Sequence, residues 1–300
     1  MRRKSPPRRA LRKRITDRVI TALFVAVIGV MRPLPYRLRV PVFGWITTTL
    51  VAPLAGWRRR IGANLAHAWP ELPEAEVARL MRLVPDRIGR SVIEFFSPAD
   101  LIASLKGLEL EGPGVAALEA GLAERQPLIL ASGHIGNYTV FRALIAQRYG
   151  QLGALYRPMS NASFDRRYVA ALDQSATPLF ARNRRGLSDM VTFLRAGNPV
   201  AILHDQFIED GAAIEFFGQK AATALSAADL ARRYGAPLIP FYAIRQPDGR
   251  SFRLIVEAPI PPGDPAAMMQ ALTASLEVQV RAHPEQWIWT HRRWGPLPKA

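Results

Sequence analysis

The sequence contains no cysteine, which excludes disulfides and thiolate metal sites and fits a reducing compartment. Acids are scarce: 24 Asp and Glu face 40 Lys and Arg, giving a formal net charge of +16. Such an excess calls for a polyanionic partner, whether nucleic acid, anionic membrane or phosphorylated substrate. Histidine is sparse. His67, His134, His204, His283 and His291 show no HExxH or paired-ligand spacing, so no zinc site is expected. No internal repeat is found, and no apolar run reaches the ~20 residues of a straight membrane span.

Nearly half of the 300 residues (49%) are hydrophobic, enough to bury a core and to exclude global disorder. The charge is uneven. Met1 to Arg18 carries nine Arg or Lys against one Asp, half of the net charge. Thirteen uncharged residues follow, "VITALFVAVIGVM", Val19 to Met31. A basic run before an apolar segment suits a chain that begins in the cytoplasm and meets the bilayer. A retained anchor or in-plane helix is the expectation. A signal peptide and a buried helix compete with it, although "MRPLPYRLRVP" offers no clear small-x-small cleavage site. A second apolar stretch, Val42 to Trp57, has Trp at both flanks and fits beside the first.

Organisation then follows from pattern. Residues 1–18 form a basic N-terminus, 19–57 interfacial helices, and 58–300 an α/β domain. Trp57 to Phe96 is helical in pattern. From about Gln126, short apolar runs ("PLILAS", "GALYRP", "TPLFAR", "PVAILHD", "APLIPFYAIR", "FRLIVEAPI") alternate with helical stretches, three of which end in glycine. This predicts a single, largely parallel sheet flanked by helices.

"SGHIGN" sits where a strand turns into a helix, a corner that presents side chains and backbone N–H groups to a ligand. Gly133 and Gly136 permit close backbone approach there, and His134 is the candidate general base. Its first downstream carboxylate is Asp165. Asp205 and Gln206 follow another buried strand. His204 and Asp205, being adjacent in an extended chain, are expected to point apart. Arg157, Arg184 and Arg245 lie at or near strand ends, where guanidinium groups grip phosphate. The tail "HPEQWIWTHRRWGP" holds three of six Trp and reads as docked on the core or lying at an interface.

In order and spacing, "RRRIGANLAHAWPEL", "ASGHIGNY", "LYRP", "FARNRRGLSDMVTFLRAGNPVAILHDQ", "FFGQKAATALSAADLARRYGAPLIPFYAIR" and "HPEQWIWTHRRW" resemble the lipid A biosynthesis acyltransferases, the lauroyl/myristoyl transferase family. The resemblance implies a glycerolipid-acyltransferase-like fold. It also implies transfer of a fatty acyl chain from acyl carrier protein to a hydroxyl of a lipid A precursor. The location would be the cytoplasmic face of the anionic inner membrane, with neither nucleic acid nor cofactor required. His134 maps to the family's catalytic histidine; Gly133, Gly136, Asn137, Arg157, Arg184, Gln206 and Arg245 are the candidate substrate-binding residues around it.

One position departs from the family pattern. The family places Glu or Asp five residues after its histidine; here that residue is Thr139. On a continuous helix five residues turn about 500°, so ring and residue 139 meet only if His134 precedes the helix. Thr139 could then accept a hydrogen bond from the ring but supply no charge. Three readings remain open from sequence: a transferase using His134 with Thr139 or a borrowed Asp205; a weak or inactive homologue that binds lipid; and a basic membrane- or nucleic-acid-binding module.

Overall fold

The structure is a computed structural model that describes residues 7–295, with side chains from Ile15 onward. Most of the basic stretch Met1 to Arg18 therefore lies outside the described residues or their side chains.

The strands are β1 (Leu110–Glu111), β2 (Leu128–Ser132), β3 (Gly153–Tyr156), β4 (Leu179–Ala181), β5 (Pro199–Leu203), β6 (Ala212–Phe216), β7 (Gln219–Thr223), β8 (Leu238–Arg245) and β9 (Phe252–Val256). Seven of them form one sheet in the order β1-β9-β8-β2-β5-β3-β4, and β6 pairs with β7 in a separate hairpin. Strands β8, β2, β5, β3 and β4 run parallel; β9 is antiparallel to β8, and β1 follows β9. The largely parallel α/β sheet expected from pattern is present, with an antiparallel flank. β2 and β8 are buried at every position, as their continuous apolar runs require.

The helices are α1 (Pro7–Met31), α2 (Tyr36–Ile46), α3 (Ala52–Leu54), α4 (Trp57–Ala68), α5 (Glu74–Phe95), α6 (Pro98–Ser104), α7 (Val115–Ala123), α8 (Tyr138–Tyr149), α9 (Ala162–Asp173), α10 (Arg184–Arg195), α11 (Ser226–Tyr234) and α12 (Pro265–Ala282). A π-helical turn, Thr47–Val51, joins α2 to α3. Two apolar layers sandwich the sheet. Phe141, Leu144 and Ile145 of α8 pack with Leu128, Leu130 and Phe241 in one, and Met269 and Leu272 of α12 pack with Ile129 and Leu238 in the other.

The N-terminal helices leave much of their apolar surface open. Val19, Leu23, Val30, Trp45, Leu50 and Leu54 are more than half exposed. Inward, Phe24 packs on Phe96, just past the end of α5, and on Phe164 of α9. Among the described residues no single helix is long and apolar enough to cross a membrane. One bent pair, Tyr36–Leu54 with Trp57–Ala68 at 85°, passes by length and composition.

The C-terminal tail is docked, not dangling. Trp287 and Trp289 are fully buried against Phe216, Phe217 and Trp294. The stretch "EFFGQKAATALS" covers most of the hairpin β6–β7, against which these aromatics pack.

Candidate active site

Strand register builds the site. β2 and β5 pair in parallel with Ser132 opposite Leu203, so the chain leaves the sheet at adjacent points. Two residues further on each strand stand His134 and Asp205. The imidazole Nδ1 lies 2.6 Å from Asp205 Oδ1, and the His134 backbone N–H donates to Asp205 Oδ2 at 2.7 Å. The Trp287 indole N–H donates to the same oxygen at 2.8 Å. A carboxylate so placed accepts a hydrogen bond from Nδ1–H, which fixes the proton on that nitrogen and leaves Nε2 as the basic one. The Gln206 amide nitrogen, 3.3 Å away, faces that Nε2.

Asp205 is 1% exposed. Burial on its own would raise its pKa. The His134 charge and the hydrogen bonds from the His134 ring and backbone outweigh it, holding the carboxyl well below the usual range. His204 turns away, as its neighbouring position predicts: its Nδ1–H donates to the Ser132 carbonyl at 2.9 Å, and burial pushes its pKa down to about 4. It is neutral at neutral pH.

The turn carrying His134 is clamped from both sides. The Gly136 N–H donates to the Gln286 carbonyl at 3.0 Å and the Ile288 N–H to the His134 carbonyl at 3.1 Å, so the tail zips onto the turn. Gly136 has φ +59°, and a Cβ there would sit 1.9 Å from the Ala243 carbonyl oxygen, so only glycine fits. A Cβ on Gly133 would sit 3.0 Å from Asp205 Oδ2, crowding the carboxylate.

A cavity of about 1110 Å³ opens beside His134. That exceeds the ~300–1,000 Å³ usual for small-molecule pockets. Its wall combines Phe95, Phe96, Phe164, Leu155 and Phe241 with the polar groups of His134, Gln206, Arg157 and Arg182.

Several expectations need correction. Thr139 does not bond the ring: its Oγ1 makes no hydrogen bond, and Asp205 occupies the nitrogen that Thr139 was expected to serve. Asn137 and Arg245 do not face substrate. Asn137 is fully buried; its side-chain oxygen caps α8 through the Thr139 N–H at 3.1 Å, and its amide donates to Glu94 at 2.7 Å. Arg245 is 4% exposed and forms a two-point ion pair with Glu94 while lying over the Phe252 ring. Arg184 is exposed at the start of α10, away from the cavity wall. Arg157, Gln206 and Gly136 do line the cavity.

Glu94 and Trp287 were missed. Glu94 gives no local signal, because its partners lie 43 and 151 residues away. Trp287 had one: in "WIW" the tryptophans alternate, as for a segment with one face buried. Among the described residues no group of three or more His, Asp or Glu is placed to hold a metal ion.

Residues 7–295 match the model of the family described as bacterial lipid A biosynthesis acyltransferase. The chain is 27% identical over 249 residues to the lipid A biosynthesis lauroyltransferase of Escherichia coli (strain K12), covering 79% of this chain and 78% of that one. It is 25% identical over 185 residues to the phosphatidylinositol mannoside acyltransferase of Mycobacterium tuberculosis, covering 60% of this chain and 58% of that one. With its whole described length matched, the chain belongs to the bacterial lipid A biosynthesis acyltransferase family and is an acyltransferase.

Proposed function

We propose that the protein transfers a fatty acyl chain from acyl carrier protein to a hydroxyl of a lipid A precursor, or of a closely related glycolipid. His134 acts as general base. The observation that carries this reading is the 2.6 Å contact between His134 Nδ1 and Asp205 at the cavity mouth.

The acceptor O–H gives its proton to Nε2 as its oxygen attacks the thioester carbonyl carbon. The new C–O bond forms, and the C–S bond breaks as the tetrahedral intermediate collapses. The departing thiolate takes the proton back from the imidazolium. Asp205 fixes the tautomer and stabilises the imidazolium, the part a triad aspartate plays beside its histidine. The Gln206 amide is released from Nε2 once the acceptor hydroxyl binds there, and it can then bond the oxygen that turns negative. No covalent enzyme intermediate is required.

Partner and location follow from charge and surface. A net charge of +16 suits an acidic carrier protein and a phosphorylated acceptor. The exposed apolar residues of α1 to α3, preceded by a basic N-terminus, suit insertion into the cytoplasmic face of an anionic inner membrane. Asp205 at the imidazole weighs against reading the protein as an inactive homologue.

Membranes bearing the protein, incubated with acyl carrier protein loaded with labelled fatty acid and a lipid A precursor, test this directly. Label should pass to the glycolipid with wild type and not with His134→Ala. Equal transfer by both would sink the assignment of His134.

A further inference from the structure

The cavity beside His134 carries a polar stripe that a plain hydrocarbon chain cannot satisfy. Tyr138, Thr139 and Arg142 stand at positions i, i+1 and i+4 of α8, and all three line the cavity. Thr139 is fully buried, and its hydroxyl has no hydrogen-bond partner. The Tyr138 and Tyr168 hydroxyls lie 3.1 Å apart, also on the cavity wall. One donates to the other, which leaves one of the two protons unused.

Arg142 is 4% exposed and donates to the carbonyls of Leu152 (3.3 Å), Ala176 (2.6 Å) and Pro178 (3.4 Å). No carboxylate among the described residues pairs with it. Burial pushes its guanidinium down to about 10, with Asp173 opposing from a distance, so it stays cationic at neutral pH. This is a costly wall for a site holding methylene groups alone, because valine, leucine and phenylalanine fill similar space with nothing to satisfy. Most of the remaining wall is built that way, from Phe95, Phe96, Phe164, Leu155 and Leu172.

We infer that the acyl group this enzyme accepts carries a hydroxyl near its carboxyl end, and that Thr139 is the hydrogen-bonding partner of that hydroxyl. The inference rests on the acyl-transfer reading of the cavity. Thr139 sits in the first turn of α8, immediately after the His134 turn, and the neighbouring Tyr138 ring lies 5.7 Å from the imidazole. A substituent reaching Thr139 therefore belongs within a few carbons of the thioester, at C-2 or C-3. The threonine hydroxyl both donates and accepts, as a partner for an alcohol must. Arg142, one turn deeper, adds a positive potential that favours the substituent's lone pairs.

The test uses the full chain in detergent with acyl carrier protein loaded with 2-hydroxy-, 3-hydroxy- or unsubstituted chains of one length. Binding of the matching free fatty acids is measured by calorimetry in parallel. One hydroxylated isomer should exceed the plain chain at least about tenfold in kcat/KM and bind more tightly. Thr139→Val should bring both ratios close to one, while Thr139→Ser should retain most of the preference. A plain chain used as well as either isomer overturns the inference and leaves the transfer reading standing. So does a Thr139→Val enzyme slowed equally on all donors, which would mean that the threonine serves the thioester carbonyl. Absence of transfer from every donor, with a binding preference that Thr139→Val removes, sinks the transfer reading and supports the hydroxyl site. Absence of both transfer and preference overturns both.

Discussion

At residue scale, His134 is defined by what holds it. Its ring, its backbone N–H and the Trp287 indole all converge on one buried carboxylate. Trp287→Phe keeps the ring and removes the indole donor to Asp205 Oδ2. Losing a hydrogen bond to a buried charge costs about 1.5–3 kcal/mol. The variant should therefore unfold earlier in a denaturant titration and turn over more slowly. His204 supplies a pH dependence of opposite character. Unfolded, its imidazole takes a proton near pH 6.5; folded, not until about 4. Between those values the unfolded chain binds more protons, so stability falls as pH falls from 6.5 to 4. The slope from this group approaches about 1.4 kcal/mol per pH unit. Chemical denaturation across that window should show a shallower decline in His204→Leu than in wild type.

At element scale, the buried ion pair between Glu94 of α5 and Arg245 of β8 joins the helical region to the sheet just behind the His134 turn. Removing one partner strands a charge, and such losses run about 3–5 kcal/mol. Arg245→Met should lower the unfolding midpoint strongly, and the double change Glu94→Leu with Arg245→Met should recover much of the loss. A phosphate-gripping Arg245 would instead show its effect in the acceptor KM. Asn137→Ala removes the α8 cap, worth about 1 kcal/mol, together with a partner of Glu94. It should destabilise in the same assay.

Those two residues mark where sequence reading stopped. The strands of the sheet, the helices between them and the strand-to-helix position of His134 were legible, because periodicity, glycine caps and apolar runs are local signals. Asp205 was visible as a residue leaving a buried strand and as a carboxylate that His134 could borrow, but nothing local chose it over Thr139. That pairing depends on β5 lying beside β2, although β3 and β4 intervene in sequence. Arg245 looked like a phosphate ligand for the same reason: its true partner is 151 residues away.

At the scale of the whole molecule, charge and apolar surface gather at the N-terminal end. Basic segments gain about 1 kcal/mol per Lys or Arg near an anionic bilayer, screened by salt. The full chain should sediment with vesicles containing anionic lipid. Deletion of residues 1–18 should weaken that binding and flatten its salt dependence. Trp45→Ser with Leu54→Ser should weaken it with the salt dependence retained, since those exposed side chains contribute area and not charge.

In the proposed mechanism Asp205 replaces the carboxylate that residue 139 lacks. Single-turnover acyl transfer by wild type, Asp205→Asn and Thr139→Val, with one unsubstituted donor and one acceptor, tests this most directly. Loss of the equivalent carboxylate in a serine-protease triad costs about 10⁴. A fall of about 10³ or more is expected in Asp205→Asn and of no more than about tenfold in Thr139→Val. A fast Asp205→Asn enzyme beside a dead Thr139→Val enzyme would contradict that mechanism.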